Sequence, residues 1–385
     1  MMKKVLILGS GLQALSTACS LKQENYYVSA FISEESESFY SRFIDNKICP
    51  NISVLDEGEY LKFLLDFLIK DKHDVIIPMS DVHAEFLSKN KKIIETKGCK
   101  CAIPNYEIFE QVNDKWNLLS FCEKNNFPCP RTRLINSDNI NDIINFVGFP
   151  ALIKPNISVG ARGIKLVNKR EDLEYYYNII YKQYGNCSLQ EYINNEEDPY
   201  YNVMLYRNQY GVIVNYVIIE ILRYYPIKGG SSCFCKTIKD DYLLDVCSQV
   251  LEKLGWVGFA DFDVLKDKEG NYKIIEINPR VPASLRAASV SGVNFPCLIV
   301  KDLLEEPVIS YNYDVDKYLR FLGLDIAWFL SSNKRFVVKP SWFKFFGDNL
   351  FYQEGGRDDY KSMLYSLYSG IKKILTPSFR KSKKI

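Results

Sequence analysis

Residues Gly258 to Ser284, GFADFDVLKDKEGNYKIIEINPRVPAS, constrain this chain more than any other stretch. ADFDV and KIIEIN are rich in alternating apolar residues and flank the turn signal KDKEGN, a pattern that predicts an antiparallel β-hairpin. Successive side chains of a strand point to opposite faces, so Asp261 and Asp263 share one face and Glu276 and Asn278 share a face of the partner strand. Pairing across the turn gathers three or four oxygen-bearing side chains into one patch, the donor set that Mg²⁺ takes together with phosphate oxygens. Pro279 stops the ladder, and Arg280 follows with a fork-shaped cation suited to a transferring phosphoryl group. The plain alternative is a hairpin with acids on its wet side, but EI followed by NPR at the end of an apolar strand weighs against it.

A second motif lies upstream. FPALIKPNISVGARGIKLV places Lys154 at the end of an apolar strand, then a loop with Gly160 and Gly163, then another strand. Such a loop lets backbone N–H groups approach phosphate oxygens while the lysine neutralises their charge. It is not a Walker loop, because no G-K-[ST] follows and strand leads to strand.

Nearer the start, KKVLILGSGLQALSTACSLKQENYYVSAFI reads as strand, glycine turn, helix, strand, with Gly9, Gly11 and Ala14 in a G-x-G-x-x-A arrangement. That turn opens many α/β folds, so it is weak evidence for a nicotinamide site. Asp81 closes a later strand, where it either faces a ligand or caps the next helix. Tyr106 to Asn126 has helical periodicity.

With KPNISVGARG and EINPR in order, and the upstream acids between them, the chain resembles the ATP-grasp superfamily of carboxylate-amine ligases, in the branch of carbamoyl phosphate synthase large subunits and biotin carboxylase. The resemblance covers about residues 1 to 305. It implies α/β and α+β architecture: an N-terminal Rossmann-like pre-ATP-grasp domain (1–105), a linker helix with subdomain A (106–192), subdomain B with the metal site (193–305) and a C-terminal extension (306–385). It further implies ATP and a pair of Mg²⁺ ions, Mn²⁺ being a substitute, with Asp263, Glu276 and Asn278 as metal ligands. Many members have Glu at the place of Asp263, so the shorter Asp263 could act through water, or Asp261 could share its role. Lys115, Lys154, Gly160 and Gly163 would meet the phosphates, and Gln190, Glu191, Tyr192 and Ile193 of SLQEYI would form the adenine-side hinge. Arg280 would stabilise the transferring phosphate, and Arg286, at a helix start after NPR, would bind the carboxylate. The glycine-serine loop 229–232 would lie over the site, with Arg223 and Lys228 open to either phosphate contact or a structural role. The implied reaction makes an acylphosphate from a small carboxylate and joins it to an amine, in surface-polysaccharide or metabolite synthesis.

Rival readings are a kinase or carboxylase of the same superfamily, a nicotinamide-dependent oxidoreductase, and a non-catalytic nucleotide-binding protein. Eleven scattered cysteines without C-x-x-C and only two histidines argue against a zinc site, a disulfide framework or a His-based triad. No run approaches the ~20 apolar residues of a membrane helix, and MMKKVLILGSG runs straight into a glycine turn without a cleavage-like segment, so a cytoplasmic protein is expected. Residues 331–385 carry 12 Lys or Arg against 4 Asp or Glu, whereas the remainder of a chain of net charge +2 sums to −6. The basic ending SFRKSKKI reads as a solvated tail, the alternative being peripheral contact with an anionic membrane. For WFLSSNKRFVVKPSWFKFF we expect packing against the body rather than nucleic-acid stacking. A homodimer is compatible with the resemblance.

Overall fold

The computed structural model describes residues 2–136, 140–158, 162–194, 198–227, 229–355 and 357–375. Their strands form three sheets. The first is parallel, in the order β3-β2-β1-β4-β5, from β1 (Lys4–Leu8), β2 (Tyr27–Phe31), β3 (Asn46–Ile48), β4 (Val75–Pro78) and β5 (Lys100–Cys101). Its crossovers include α1 (Leu12–Gln23), α2 (Glu57–Lys70) and α3 (Asp81–Glu95). Burial on both faces makes β1 apolar from Val5 to Leu8: Val5 and Ile7 face one core, Leu6 and Leu8 another.

The stretch expected as one helix from Tyr106 to Asn126 divides into α4 (Tyr106–Asn113) and α5 (Lys115–Lys124). Asp114 makes the break, capping α5 by accepting from the Asn117 N–H at 3.0 Å, while the Lys115 N–H donates to the Asn156 carbonyl at 3.0 Å. A four-stranded antiparallel sheet follows, in the order β6-β9-β7-β8, from β6 (Thr132–Leu134), β7 (Ala151–Pro155), β8 (Lys165–Val167) and β9 (Cys187–Glu191). It packs on α6 (Ile140–Val147) and α7 (Arg170–Tyr184).

The third sheet has the order β14-β13-β10-β11-β12-β15-β16. It comprises β10 (Tyr200–Arg207), β11 (Ile213–Tyr225), β12 (Ser231–Ile238), β13 (Gly258–Lys266), β14 (Tyr272–Asn278), β15 (Tyr318–Arg320) and β16 (Leu350–Tyr352). Period-2 alternation divides β10 cleanly: Val203 and Leu205 join a core with α8 (Asp241–Leu254), Met204 and Tyr206 one with α1 and α10 (Phe295–Leu303). The second of these cores also takes in Val5 and Ile7, so the first and third sheets share buried apolar surface.

Two expectations need correcting. Ser231 and Ser232 begin β12, pairing with Tyr225 and Tyr224, rather than lying in a loop. The last segment splits between two roles: β15 and β16 extend the third sheet, α11 (Leu322–Ser331) packs against β11 and β12, and α12 (Tyr360–Leu375) packs on α11 and on the turn at Glu37–Tyr40, yet Phe336, Val337, Phe343 and Phe346 are exposed instead of buried. Among the described residues no single helix is long and apolar enough to cross a membrane.

Candidate active site

The β13/β14 ladder sets Asp261 directly opposite Asn278 and Asp263 directly opposite Glu276. The register slips just beyond Asp263, where Val264 pairs with Ile274 and Ile275 is left over, a bulge that ends the polar patch. Asn202 of β10, opposite Asp263 on the other side, donates its amide to that carboxylate. The Asn278 amide lies 3.4 Å from both Asp261 Oδ2 and Asp263 Oδ2. Burial, followed by repulsion from neighbouring carboxylates, pushes the Asp261 and Asp263 carboxyls above the usual carboxylate pKa range. Asp261 Oδ1 is buried without a hydrogen-bond partner.

These residues form one wall of a cavity of about 490 Å³. Lys115 enters from the start of α5, its Nζ 3.2 Å from Glu276 Oε1 and 3.3 Å from the Ser158 carbonyl oxygen. Lys154 at the end of β7 is buried, and desolvation with the nearby Lys115 charge pulls its ammonium down to about 8. Arg280, just past β14, donates to Asp81 through Nε at 2.8 Å and Nη2 at 3.3 Å. Asp81 does not cap α3, because Ser80 does, accepting from the His83 N–H. The aspartate therefore ties the carboxyl end of β4 in the parallel sheet to the end of β14.

Of the other expected residues, Tyr192 and Ile193 line the cavity, and so does Ser284. Gln190 is buried against Thr132, and Glu191 pairs with Arg131; neither side chain lines the cavity. Gly163 does not line it either: its φ of +74° and the 2.7 Å that a Cβ would leave to Pro155 make it a turn residue that only glycine fits. Gly160 and Lys228 lie outside the described residues. Arg286 starts the five-residue α9 (Arg286–Val290) and does not line the cavity; its Nε is buried without a partner, and its charge acts against the burial that raises the Cys19 thiol. Arg223 is structural, since its guanidinium is buried on Asp325 with Nε–Oδ1 at 2.7 Å.

Sequence reasoning missed Asn202, Tyr224, Phe321, Leu324 and Gln353, which also line the cavity. Only Asn202 carried a signal, as a polar residue inside the apolar run YYNVMLY.

Among the described residues no group of three or more His, Cys, Asp or Glu side chains is arranged to hold a metal ion. The set here is two carboxylates and an amide, Asp263, Glu276 and Asn278, beside two lysines. It suits Mg²⁺ shared with phosphate oxygens rather than a cage made by protein alone. The buried, closely spaced carboxyls of Asp263 and Asp261, both raised by burial and by their acidic neighbours, fit that group.

Residues 112–284 match the family described as "ATP-grasp domain". There is similarity to the D-aspartate ligase of Enterococcus faecium (strain Aus0004), 20% identical over 383 residues, covering 91% of this chain and 90% of that one. Biotin carboxylase from Campylobacter jejuni, solved as a β,γ-ATP complex, superposes with a TM-score of 0.69 at 18% identity, over 83% of this chain and 74% of that one. The biotin carboxylase domain dimer of Hydrogenobacter thermophilus 2-oxoglutarate carboxylase, solved with MgADP, ADP and bicarbonate, gives 0.68 at 18% identity, over 83% and 73%.

Proposed function

We infer from residues 112–284, which are an ATP-grasp domain, that this protein is an ATP- and Mg²⁺-dependent, ADP-forming ligase that activates a carboxylate and joins it to an amine. The observation that carries the reading is the convergence of Lys115, Lys154, Asp263, Glu276, Asn278 and Arg280 on one cavity. We assign residues 1–105 to a Rossmann-like pre-ATP-grasp domain, 106–192 to subdomain A, 193–305 to subdomain B and 306–385 to a C-terminal extension.

In this reading Asp263, Glu276 and Asn278 would hold a pair of Mg²⁺ ions, whose chemistry would be to neutralise charge on the phosphate oxygens. Lys115 and Lys154 bind the same phosphates as cations, so Lys115 leaves Glu276 when nucleotide arrives. A carboxylate oxygen of the first substrate attacks the γ-phosphorus; that O–P bond forms as the bond to the β-γ bridging oxygen breaks and ADP departs. Arg280, held in place by Asp81, faces the charge that develops on the transferring group. The amine then attacks the acyl carbon, expelling phosphate and losing a proton. Tyr192 and Ile193 flank the base, and a homodimer is the assembly we expect.

The test is ADP release over a grid of carboxylates, bicarbonate included, against amines, with Glu276→Ala as control. Amide formation matching ADP supports ligation; turnover with bicarbonate and no amine assigns carboxylation instead. Turnover unchanged in Glu276→Ala overturns the metal assignment.

A further inference from the structure

Residues 329–346, FLSSNKRFVVKPSWFKFF, contain four Lys or Arg and no Asp or Glu. The backbone of this segment is held from beneath. Arg223 donates to the Pro340 carbonyl at 3.2 Å, and Arg320 donates to those of Trp342 at 3.0 Å and Lys344 at 3.2 Å. Both guanidiniums are buried and share the Asp325 carboxylate, while the Trp342 indole donates to the Asp325 carbonyl at 3.1 Å. Phe329 and Trp342 pack on each other with centroids 4.3 Å apart.

What this anchoring leaves outside is large and apolar. Phe336 is 72% exposed, Val337 74%, Phe343 57% and Phe346 89%. The rings of Phe336 and Phe343 lie 18° from parallel with centroids 6.5 Å apart, so they make one patch. Arg335 sits over Phe336 at 5.6 Å, Lys334 reaches Asp198 at 3.7 Å, and Lys339 and Lys344 are exposed.

Single exposed apolar residues are ordinary; several together, rimmed by one sign of charge, mark a surface for a partner. A second copy of the chain is a poor occupant, because a two-fold interface would set this basic segment against itself. An anionic bilayer suits both halves, with aromatic rings at headgroup depth and ammonium groups against lipid phosphates. We propose that Phe336, Val337, Phe343 and Phe346, with Lys339 and Lys344, are a docking surface for an anionic phospholipid membrane. The surface is one helix away from the active cavity, since Phe321, the residue before α11, and Leu324 within it line that cavity while Asp325 holds the anchoring arginines.

The test is flotation of the full-length protein with vesicles of phosphatidylcholine alone or mixed with phosphatidylglycerol. We expect flotation only with the anionic mixture, and its reversal in ~1 M salt, where screening shortens to ~3 Å. Lys339→Gln with Lys344→Gln should weaken partitioning by about tenfold or more, and Phe336→Ser with Phe346→Ser should do the same at an unchanged melting temperature. Absence of flotation overturns the proposal. So does wild-type flotation of both double variants, which would assign the contact to another basic region. Light scattering that shows the phenylalanine variant turning a dimer into a monomer, with flotation unchanged, would assign the surface to a second copy.

Discussion

Lys115 Nζ stands 3.2 Å from Glu276 Oε1, so the first residue of α5 and a strand residue 161 positions later form an ion pair inside the cavity. In the proposed function these are a phosphate-binding lysine and a metal-binding carboxylate, which would hold each other until nucleotide separates them. Glu276→Gln should lower kcat by about 10²–10³, whereas Lys115→Met should act mainly on the KM for ATP. Coupled ADP-release kinetics on folded variants separate the two; equal effects on both constants would contradict the division of roles.

Lys154 supplies a pH dependence. Its ammonium titrates near 8 in the free protein, chiefly because of burial and then of Lys115. In the proposed function only the charged form attracts phosphate, so affinity for ATP should be full well below pH 8 and decline as pH rises through it. The KM for ATP should climb by about tenfold per pH unit above that point. Lys154→Arg, which stays charged, should remove this limb from the kcat/KM profile. A wild-type profile flat to high pH would exclude Lys154 as the group responsible.

The Arg280–Asp81 pair, with side chains only 17% and 19% exposed, orients the guanidinium with two hydrogen bonds. Asp81→Asn keeps the shape and loses the charge, and should reduce kcat by about tenfold. Arg280→Lys loses the planar fork and should cost about a hundredfold. The order of the two effects, read at saturating ATP, is the check; an Asp81 variant worse than the Arg280 variant would give Asp81 a direct part in the reaction.

Asp325 carries two buried guanidiniums, with Arg223 Nε and Arg320 Nε each 2.7 Å away. Asp325→Ala should destabilise the protein by about 3–5 kcal/mol, because both cations stay buried without a counter-charge. Arg320→Met leaves a balanced Arg223–Asp325 pair and should cost less. Urea unfolding followed by tryptophan fluorescence compares them, and an Asp325 variant as stable as wild type would mean that the cluster opens to water.

The hairpin at Gly258 to Ser284 was legible because its information is local. Alternation at period 2 and a short turn settle which of Asp261, Asp263, Glu276 and Asn278 share a face, and the observed pairing follows that pattern. The break at Asp114 was not legible: an acid beside a lysine within a helical pattern looks solvated until Asn156, 42 positions on, donates to it at 3.3 Å. Arg223 stood open to either phosphate contact or a structural role, since a cation on a strand has no partner until the fold supplies one.

By itself, then, the sequence determined the elements that carry chemistry, the acidic hairpin and the lysine strand, because strand periodicity and turn chemistry act over a few residues. Tertiary structure decided how each charge is used. It gave Arg280 to Asp81, 199 positions away, and Arg223 to Asp325, 102 away, and it brought Asn202, Phe321 and Gln353 into the cavity. A buried charge takes the partner that long-range packing presents, and no local pattern encodes that choice.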